Sequence, residues 1–169
     1  MALPDLLAGV TLRAMTPERL AAVRTALLRD MTIDIVTLGA RSGEWRTTEI
    51  WYVVVDSRIY LCGTPGAGEN EREYAPRDWI ANLKAHPEFR FVLKESVDET
   101  LDARAVIVTD PDERRRVFSA NVTGWYRRQT GSLEALVEHG PMVRADLLGS
   151  AAGLDLTTAG TVPPPREVP

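Results

Sequence analysis

Residues Val36–Val55 read VTLGARSGEWRTTEIWYVVV, two strand-like runs on either side of a short polar loop. Before the loop, apolar residues recur at every second position, as in Met31, Ile33 and Ile35, which is the period of a half-buried strand. After it, Ile50–Val55 is apolar at every position, so both faces of that strand are expected to be covered, as in a barrel wall backed by a helix or a second subunit. The stretch therefore predicts a hairpin in the wall of a barrel.

The loop of this hairpin combines residues that permit tight turns with residues that bind anions. Gly39 and Gly43 permit positive backbone φ angles, and Ser42 beside Gly43 suits a three- to five-residue hairpin loop with a bulge. Arg41 and Arg46 add fork-shaped guanidinium donors that match phosphate oxygens. The loop alone leaves two interpretations open, an anion-binding hairpin or a solvated turn with surface arginines.

The composition limits the class of protein. A chain of 169 residues with 44% hydrophobic and 26% charged residues predicts one globular domain over residues 1–150, followed by a disordered Pro-rich tail over 151–169. The net charge of −4 argues against nucleic-acid binding. One cysteine and two histidines offer no metal-ligand spacing. Because a single cysteine cannot form an intrachain disulfide, the sequence favours a reducing, cytoplasmic setting. No integral membrane segment and no secretion signal are expected.

The remaining patterns predict a mainly β protein with peripheral helices. Thr16 is expected to cap a first helix, Asp110 to cap a later one, and Glu113 to reach back to the start of that later helix. Asp56 and Ser57 suit a tight turn. Further strands are predicted at residues 58–62, 89–93, 101–107 and 142–148, and helices at 17–29, 77–85 and 111–120. Six strands with few helices predict a small antiparallel barrel.

Two further segments carry candidate functional residues. The glycine-rich loop Gly63–Gly68 follows a strand directly, where backbone can approach a flat or phosphorylated ligand, although a flexible connector has the same composition. Trp125 and Tyr126 stand beside basic residues after Gly124, and two aromatic residues in that position also suit the sealing of a core.

Two sequence runs resemble a known family. These are TLGARSGEWR at residues 37–46 and, after an apolar strand and the glycine-rich loop, WIANLKAHP at 79–87. They are similar to the deazaflavin-dependent nitroreductases, which belong to the flavin-binding split β-barrels together with pyridoxamine-phosphate-oxidase-like proteins. The resemblance implies a six-stranded antiparallel split β-barrel. It also implies an oxidoreductase that transfers a hydride from the reduced deazaflavin coenzyme F-420 to a small planar electron acceptor, such as a quinone or a nitroaromatic compound.

The same resemblance implies a set of site residues. The hairpin would hold the phosphate of the cofactor, the end of the third strand would lie against its ring system, and the second helix would help to close the site. Tyr126 would lie near the substrate as the catalytic residue. The implied cofactor-binding residues are Arg41, Ser42, Gly43, Arg46, Cys62, Gly63, Thr64, Trp79 and Asn82.

Two alternatives remain open at this stage. FMN in place of the deazaflavin would keep the fold and favour a homodimer, because related split barrels commonly bind flavin between subunits. A non-catalytic cofactor-binding or interaction module would also fit, since Glu49 introduces a carboxylate close to the cofactor-binding strand.

Overall fold

The six predicted strands form a closed antiparallel barrel. The computed structural model describes residues 14–65 and 78–157, so Gly66–Gly68 of the predicted glycine-rich loop lie outside the described residues. The strands follow the order β1-β2-β3-β6-β5-β4 around the barrel, which confirms the predicted fold class. They are β1 (Thr32–Leu38), β2 (Trp45–Val55), β3 (Arg58–Cys62), β4 (Glu88–Leu93), β5 (Glu99–Ile107) and β6 (Met142–Leu147). The described helices are α1 (Pro17–Arg29), α2 (Asp78–Ala85), α3 (Pro111–Ser119), α4 (Gly124–Thr130) and α5 (Leu133–His139).

The alternation along β1 sets which residues face the barrel interior. Ile33, Ile35 and Thr37 are all fully buried, while the residues between them are half-buried. On β2, Tyr52 belongs to the interior core. The opposite face of β2 is covered by a helix, because the Trp51 ring lies 4.8 Å from that of Trp125 on α4. Both faces of this strand are therefore covered within one chain, as the apolar run predicted.

The antiparallel order gathers several segments at one end of the barrel. β1 and β2 join there through residues 39–44, β3 ends there at Cys62, and β6 begins there at Met142. Helix α2 ends just before β4 begins, at the same end. At the opposite end, Asp56 and Ser57 have φ angles of 50° and 60°, the left-handed conformation of a two-residue hairpin turn. The tight turn predicted there is confirmed.

Two apolar cores lie on either side of the barrel wall. The first fills the interior and includes side chains from α1 and α2. The second lies between the outer face of the wall and helices α3, α4 and α5. Phe118 and Leu136 are fully buried in this second core, and burial of one such side chain is worth about 1.5–3 kcal/mol. The helices therefore stabilise the wall from outside.

Helix starts follow the predicted caps, with one difference. The Thr16 hydroxyl accepts a hydrogen bond from the Arg19 N–H at 3.3 Å, and the Asp110 carboxylate accepts one from the Asp112 N–H at 3.1 Å. Glu113 was expected to reach back to the start of α3. Its carboxylate instead accepts a hydrogen bond from the buried Tyr60 hydroxyl at 2.8 Å, because α3 packs against the barrel wall through that face.

The fold continues beyond the last strand. The side chains of Ala151 and Leu156 are only 2% and 4% exposed and belong to the interior core. The disordered tail expected over residues 151–169 is therefore wrong as far as Thr157, since these apolar side chains are buried against the barrel. The rest of that tail, residues 158–169, lies outside the described residues. Among the helices described, none is long and apolar enough to cross a bilayer.

Arg114 joins α3 to the end of α5. Its guanidinium group donates hydrogen bonds to the carbonyl oxygens of Val108 and Leu136 at 3.0 and 3.2 Å and of Val137 and Gly140 at 2.5 Å. Three of these carbonyls belong to the end of α5, where helices leave acceptors unpaired. One planar side chain therefore fixes α5 against α3.

We expect Arg114→Met to lower the free energy of unfolding by about 2–4 kcal/mol, because it leaves several carbonyl oxygens without a donor. Arg114→Lys should restore little, since one ammonium group lacks the fork geometry. The neighbouring Arg115 is the matched control: it forms an exposed ion pair with Glu134, so Arg115→Met should cost less than about 1 kcal/mol. Urea unfolding measures all three, and equal losses at both arginines would contradict this role of Arg114.

Candidate functional site

The hairpin loop between β1 and β2 is a tight, glycine-dependent turn. The Gly39 N–H donates to the Glu44 carbonyl at 2.8 Å, and the Gly43 N–H donates to the Gly39 carbonyl at 3.0 Å. Gly43 has a φ of 65°, as predicted. The reason for glycine at position 39 differs, because a Cβ atom there would lie only 2.3 Å from Ser42 Oγ. A side chain at position 39 would thus displace the Ser42 hydroxyl, whereas Gly43 is favoured by its backbone conformation.

The two arginines of the hairpin are exposed and weakly engaged. Arg41 has no hydrogen bond or ion pair with any residue that the structure describes. Arg46 lies 3.7 Å from Glu44, and both side chains are mostly exposed, at 60% and 74%. An exposed pair at that distance contributes about 0–1 kcal/mol and exchanges readily for another anion. The hairpin therefore presents two guanidinium groups that an anionic ligand can engage.

The carboxylate of Glu49 shares a neighbouring cation with Asp34. Lys94 on β4 forms ion pairs with both Glu49 and Asp34, the latter at 2.6 Å. Hydrogen bonds to these two carboxylates raise the pKa of Lys94, so the ammonium group stays charged. The two carboxylates lie directly opposite each other on β1 and β2, and Lys94 relieves their repulsion. The single positive charge of Lys94 therefore offsets part of the negative charge of Asp34 and Glu49.

Helix α2 touches the hairpin through Asn82. The Asn82 amide oxygen accepts a hydrogen bond from the Ala40 N–H at 2.9 Å, and its amide nitrogen donates to Thr37 Oγ1 at 3.1 Å. Asn82 is 8% exposed and Trp79 is 7% exposed, with Trp79 packed in the interior core. The structure therefore brings Asn82 to the hairpin, while the Trp79 ring lies among core side chains.

The end of β3 presents backbone groups and a neutral thiol. The Gly63 N–H donates to the Pro141 carbonyl at 3.1 Å, which fixes the strand end beside the start of β6. Cys62 is buried in the outer core, and this burial raises the pKa of its thiol to about 12. A thiol that stays protonated at neutral pH is a poor nucleophile. The Cys62 thiol is therefore not a nucleophile at neutral pH.

An aromatic cluster on α4 adjoins this strand end. The Tyr126 hydroxyl donates to the Cys62 carbonyl at 3.3 Å, and the Tyr126 side chain is buried, at 4% exposed. The Trp125 ring lies 5.2 Å from the Tyr126 ring and 4.8 Å from the Trp51 ring. Tyr126 and Trp125 thus seal the outer core, as the alternative interpretation of these residues predicted, and they do so beside the candidate strand end.

The candidate residues fall into two groups at the same end of the barrel. One group is the hairpin with Asn82, and the other is the end of β3 with Tyr126. β2 connects them: Leu61 pairs with Tyr52, which puts Cys62 beside Trp51. Arg46 lies further along β2 from Trp51, about 17 Å away at the usual rise of a strand. Because five residues separate them along the strand, the side chains of Arg46 and Trp51 point to opposite faces of β2.

Two residues of the site were missed as functional candidates. Thr37 is fully buried and accepts the Asn82 hydrogen bond, and Trp51 supplies a ring to the aromatic cluster. Thr37 stands at the start of the hairpin run and Trp51 within the apolar strand, so both looked like ordinary strand residues. Only a pairing with residues far away in the chain distinguishes them.

A separate open groove of about 570 Å³ lies between α2, α3 and α5. Its lining combines apolar side chains such as Ile80 and Val137 with the charged side chains of Lys84 and Glu138. None of the predicted site residues lines it. Within the described part of the chain, no group of three or more His, Cys, Asp or Glu side chains is placed to hold a metal ion.

Comparison with known families gives one match. A family model described as F420H(2)-dependent quinone reductase matches residues 15–138, which include the hairpin, α2, the end of β3 and Tyr126. This match confirms the resemblance found in the two sequence runs. Comparison with curated proteins gives no match.

Solved structures with the same fold are distant in sequence. A conserved hypothetical protein of Mycobacterium tuberculosis is 20% identical, with a TM-score of 0.53, over 77% of this chain and 79% of that one. A protein of Mesorhizobium loti described as FAD-binding is 14% identical, with a TM-score of 0.54, over 80% and 91%. A Clostridium acetobutylicum protein of the pyridoxinephosphate oxidase family is 10% identical, with a TM-score of 0.55, over 78% and 84%. At these identities the likeness is one of fold.

We expect Cys62→Ala to flatten the dependence of stability on pH above about 9. The thiol ionises near its ordinary pKa of 9.0 in the unfolded chain but only near 12 in the folded protein. The stability that it contributes is present below pH 9 and is lost as the pH rises toward 12, by at most about 1.4 kcal/mol per pH unit. Urea unfolding between pH 7 and 11 gives the free energy of unfolding of the wild type and of Cys62→Ala. In the difference between the two, the contributions of the other titrating groups cancel, because both proteins contain them. Parallel pH curves would contradict the buried thiol.

Proposed function

We propose, because the chain belongs to the F420H(2)-dependent quinone reductase family, that it transfers a hydride from reduced coenzyme F-420 to a small planar acceptor, a quinone or a nitroaromatic compound. Membership of the family makes the protein an oxidoreductase that depends on the reduced deazaflavin. The coenzyme supplies the hydride when it is bound, so the protein has to bind it, orient it, exclude water and provide a proton donor.

The observation that carries the proposal is the pair of uncommitted guanidinium groups on the hairpin. Arg41 is without a described partner and Arg46 has only the exposed Glu44 at 3.7 Å. Gly43 permits the turn that presents them, and Ser42 Oγ already accepts the Glu44 N–H, which stiffens the loop. These residues fit the anionic part of the coenzyme, because guanidinium forks match phosphate oxygens.

The end of β3 fits the flat part of the coenzyme. Cys62 is buried, and the chain becomes half-buried at Gly63 and Thr64, where it leaves the barrel wall. The Trp51 and Trp125 rings lie beside it and exclude water from that side. An aromatic border next to backbone donors and acceptors is typical of sites for planar ligands.

The Tyr126 hydroxyl is the proposed proton donor. A quinone that takes up a hydride must also take up a proton to become a hydroquinone, so a donor has to face the acceptor. The bond from Tyr126 to the Cys62 carbonyl is long, at 3.3 Å, compared with about 2.7–2.8 Å for a typical hydroxyl bond. The bond places the hydroxyl beside the strand end proposed for the flat part of the coenzyme.

The setting of the reaction is also part of the proposal. A cytoplasmic location agrees with the single, buried cysteine, which is kept as a thiol in a reducing compartment. A homodimer is also proposed, because related split barrels commonly bind flavin between subunits. Measurement of the mass of the protein in solution tests it. FMN itself enters the experiment below as the competing cofactor.

Arg41→Ala combined with Arg46→Ala should raise the Kd for oxidised coenzyme F-420 by about 100-fold or more, because two charge-assisted contacts are lost. Titration of the cofactor-free protein, followed by quenching of tryptophan fluorescence, measures this Kd and, separately, that for FMN. Arg58→Ala is the matched control, since Arg58 is an exposed arginine at the opposite end of the barrel.

The titration has three distinguishable outcomes. Binding of the deazaflavin alone, lost in the double variant and kept in the control, supports the proposal. An unchanged Kd in the double variant would remove the hairpin from the site. Binding of FMN alone would contradict the deazaflavin proposal and make the protein an FMN-dependent member of this fold.

Tyr126→Phe is expected to lower kcat with a soluble short-chain quinone by about 10- to 100-fold, the usual contribution of a positioned proton donor. The Kd for the oxidised coenzyme should change less than about threefold, since the hydroxyl acts on the acceptor. Tyr60→Phe is the control, because Tyr60 is an equally buried tyrosine whose hydroxyl bonds Glu113 in the outer core. Steady-state kinetics measures kcat for both variants. If Tyr126→Phe lowered kcat no more than Tyr60→Phe does, Tyr126 would be excluded as the proton donor.

A further inference from the structure

Asn82 is the link between α2 and the arginine hairpin. Its side chain is 8% exposed, and both ends of its amide are engaged with β1 and the loop that follows. Because the Ala40 N–H is only a donor, the amide oxygen must face it, at 2.9 Å. The amide nitrogen then faces Thr37 Oγ1, at 3.1 Å. The orientation of this amide is therefore determined by its two partners.

Within the described ranges 14–65 and 78–157, the loop has few other hydrogen bonds to the rest of the molecule. Its backbone bonds run from Gly39 N–H to the Glu44 carbonyl, from Gly43 N–H to the Gly39 carbonyl and from Glu44 N–H to Ser42 Oγ. All three are internal to the loop and set its shape. The bond from Ala40 to Asn82 is of another kind, because it fixes the loop against a helix 42 positions away in the sequence.

Ala40 directly precedes Arg41, so the anchor acts on the residue next to a proposed anion contact. A loop shaped only by internal bonds can pivot about the ends of β1 and β2 without breaking them. Such a pivot would move both guanidinium groups together. Holding one backbone N–H beside Arg41 removes this freedom before the ligand arrives, which lowers the cost of binding.

We propose that Asn82 is a positioning residue of the anion site, which fixes the hairpin through Ala40 and Thr37 and acts on the coenzyme only through the arginines. This inference rests on the proposed function for its ligand, but its structural part concerns the cofactor-free protein. It also refines the role that the sequence resemblance implied for Asn82, namely direct cofactor binding.

The structural part is tested by NMR-detected hydrogen exchange on the full chain without cofactor. In the wild type the Ala40 amide is protected, and in Asn82→Ala it should exchange about tenfold faster, as expected for the loss of one buried hydrogen bond. Asn82→Asp keeps an oxygen for the Ala40 N–H, and the Thr37 hydroxyl can turn to donate to the second oxygen. The protection of Ala40 should therefore survive in Asn82→Asp.

Unchanged exchange at Ala40 in Asn82→Ala would overturn the inference, whatever the cofactor does. If Asn82→Ala does not fold, Thr37→Val serves in its place, because it removes the partner that orients the amide and preserves the shape of the side chain. Faster exchange at Ala40 in Thr37→Val supports the inference, and unchanged exchange contradicts it.

The functional part is tested by a double-mutant cycle with Arg41→Ala, measured as the Kd for oxidised coenzyme F-420. If Asn82 acts through the hairpin, the combined Asn82→Ala and Arg41→Ala variant should raise Kd by much less than the product of the two single effects. A combined effect equal to that product would mean that Asn82 contacts the ligand independently, which overturns the positioning role.

Asn82→Asp supplies a readout that loss of structure would not produce. It keeps the hairpin in place but adds a negative charge near the arginines, so it should bind the coenzyme more weakly than the wild type at low salt. At 1 M salt, where charges are screened beyond about 3 Å, the Kd values of the variant and the wild type should become similar. A deficit that persists at 1 M salt counts against the inference. If Arg41→Ala combined with Arg46→Ala leaves Kd unchanged, the proposed anion site fails, while hydrogen exchange still decides the role of Asn82.

Discussion

The closure of the barrel through β1 is the constraint on which the rest of the structure depends. β1 pairs with its sequence neighbour β2 on one side and with the distant β4 on the other. Helix α2 leads directly into β4, so the same pairing that closes the barrel carries α2 to the end where the β1–β2 hairpin emerges. The contact between Asn82 and the hairpin exists because of this closure. A barrel opened at β1 and β4 would lose the interior core and the site together.

The two arginines of the hairpin are less engaged than several other arginines of the surface. Arg19, Arg104 and Arg115 each have a guanidinium nitrogen within 2.7 Å of a carboxylate oxygen, and they are satisfied by the protein itself. Arg41 has no such partner among the described residues, and the pairing of Arg46 is loose. In a chain with a net charge of −4, the hairpin thus holds two guanidinium groups with little or no ion pairing. A focal anion site needs such groups, whatever the charge of the whole protein.

The site offers positioning more than reactive side chains. The one thiol is held protonated by burial, and the carboxylate of Glu49 is ion-paired with Lys94. What remains is a pair of guanidinium groups, a backbone strand end, an aromatic border and one tyrosine hydroxyl. A hydride carrier brings its own chemistry, so a protein that uses one gains most from fixing the distance and orientation of two flat molecules. The rigid barrel wall provides that fixed reference.

The sequence by itself determined the features that depend on neighbours along the chain. The period of two along β1, the positive φ at Asp56 and Ser57 and the caps at Thr16 and Asp110 are local, because they follow from backbone sterics and from hydrogen bonds a few residues long. The hairpin with its arginines was also predictable from its own residues, and the fold family from two short runs that the structure keeps close together.

Tertiary structure alone decided the features that join residues far apart. Glu113 bonds Tyr60 on β3 instead of its own helix start, and Leu156 is buried although its sequence surroundings suggest a tail. The amide of Asn82 reaches Ala40, and Thr37 gains a role that its place in a strand does not reveal. These contacts depend on which faces meet when the barrel closes, and the physical reason is that a side chain selects its partner only after distant backbone has been brought within about 3 Å of it.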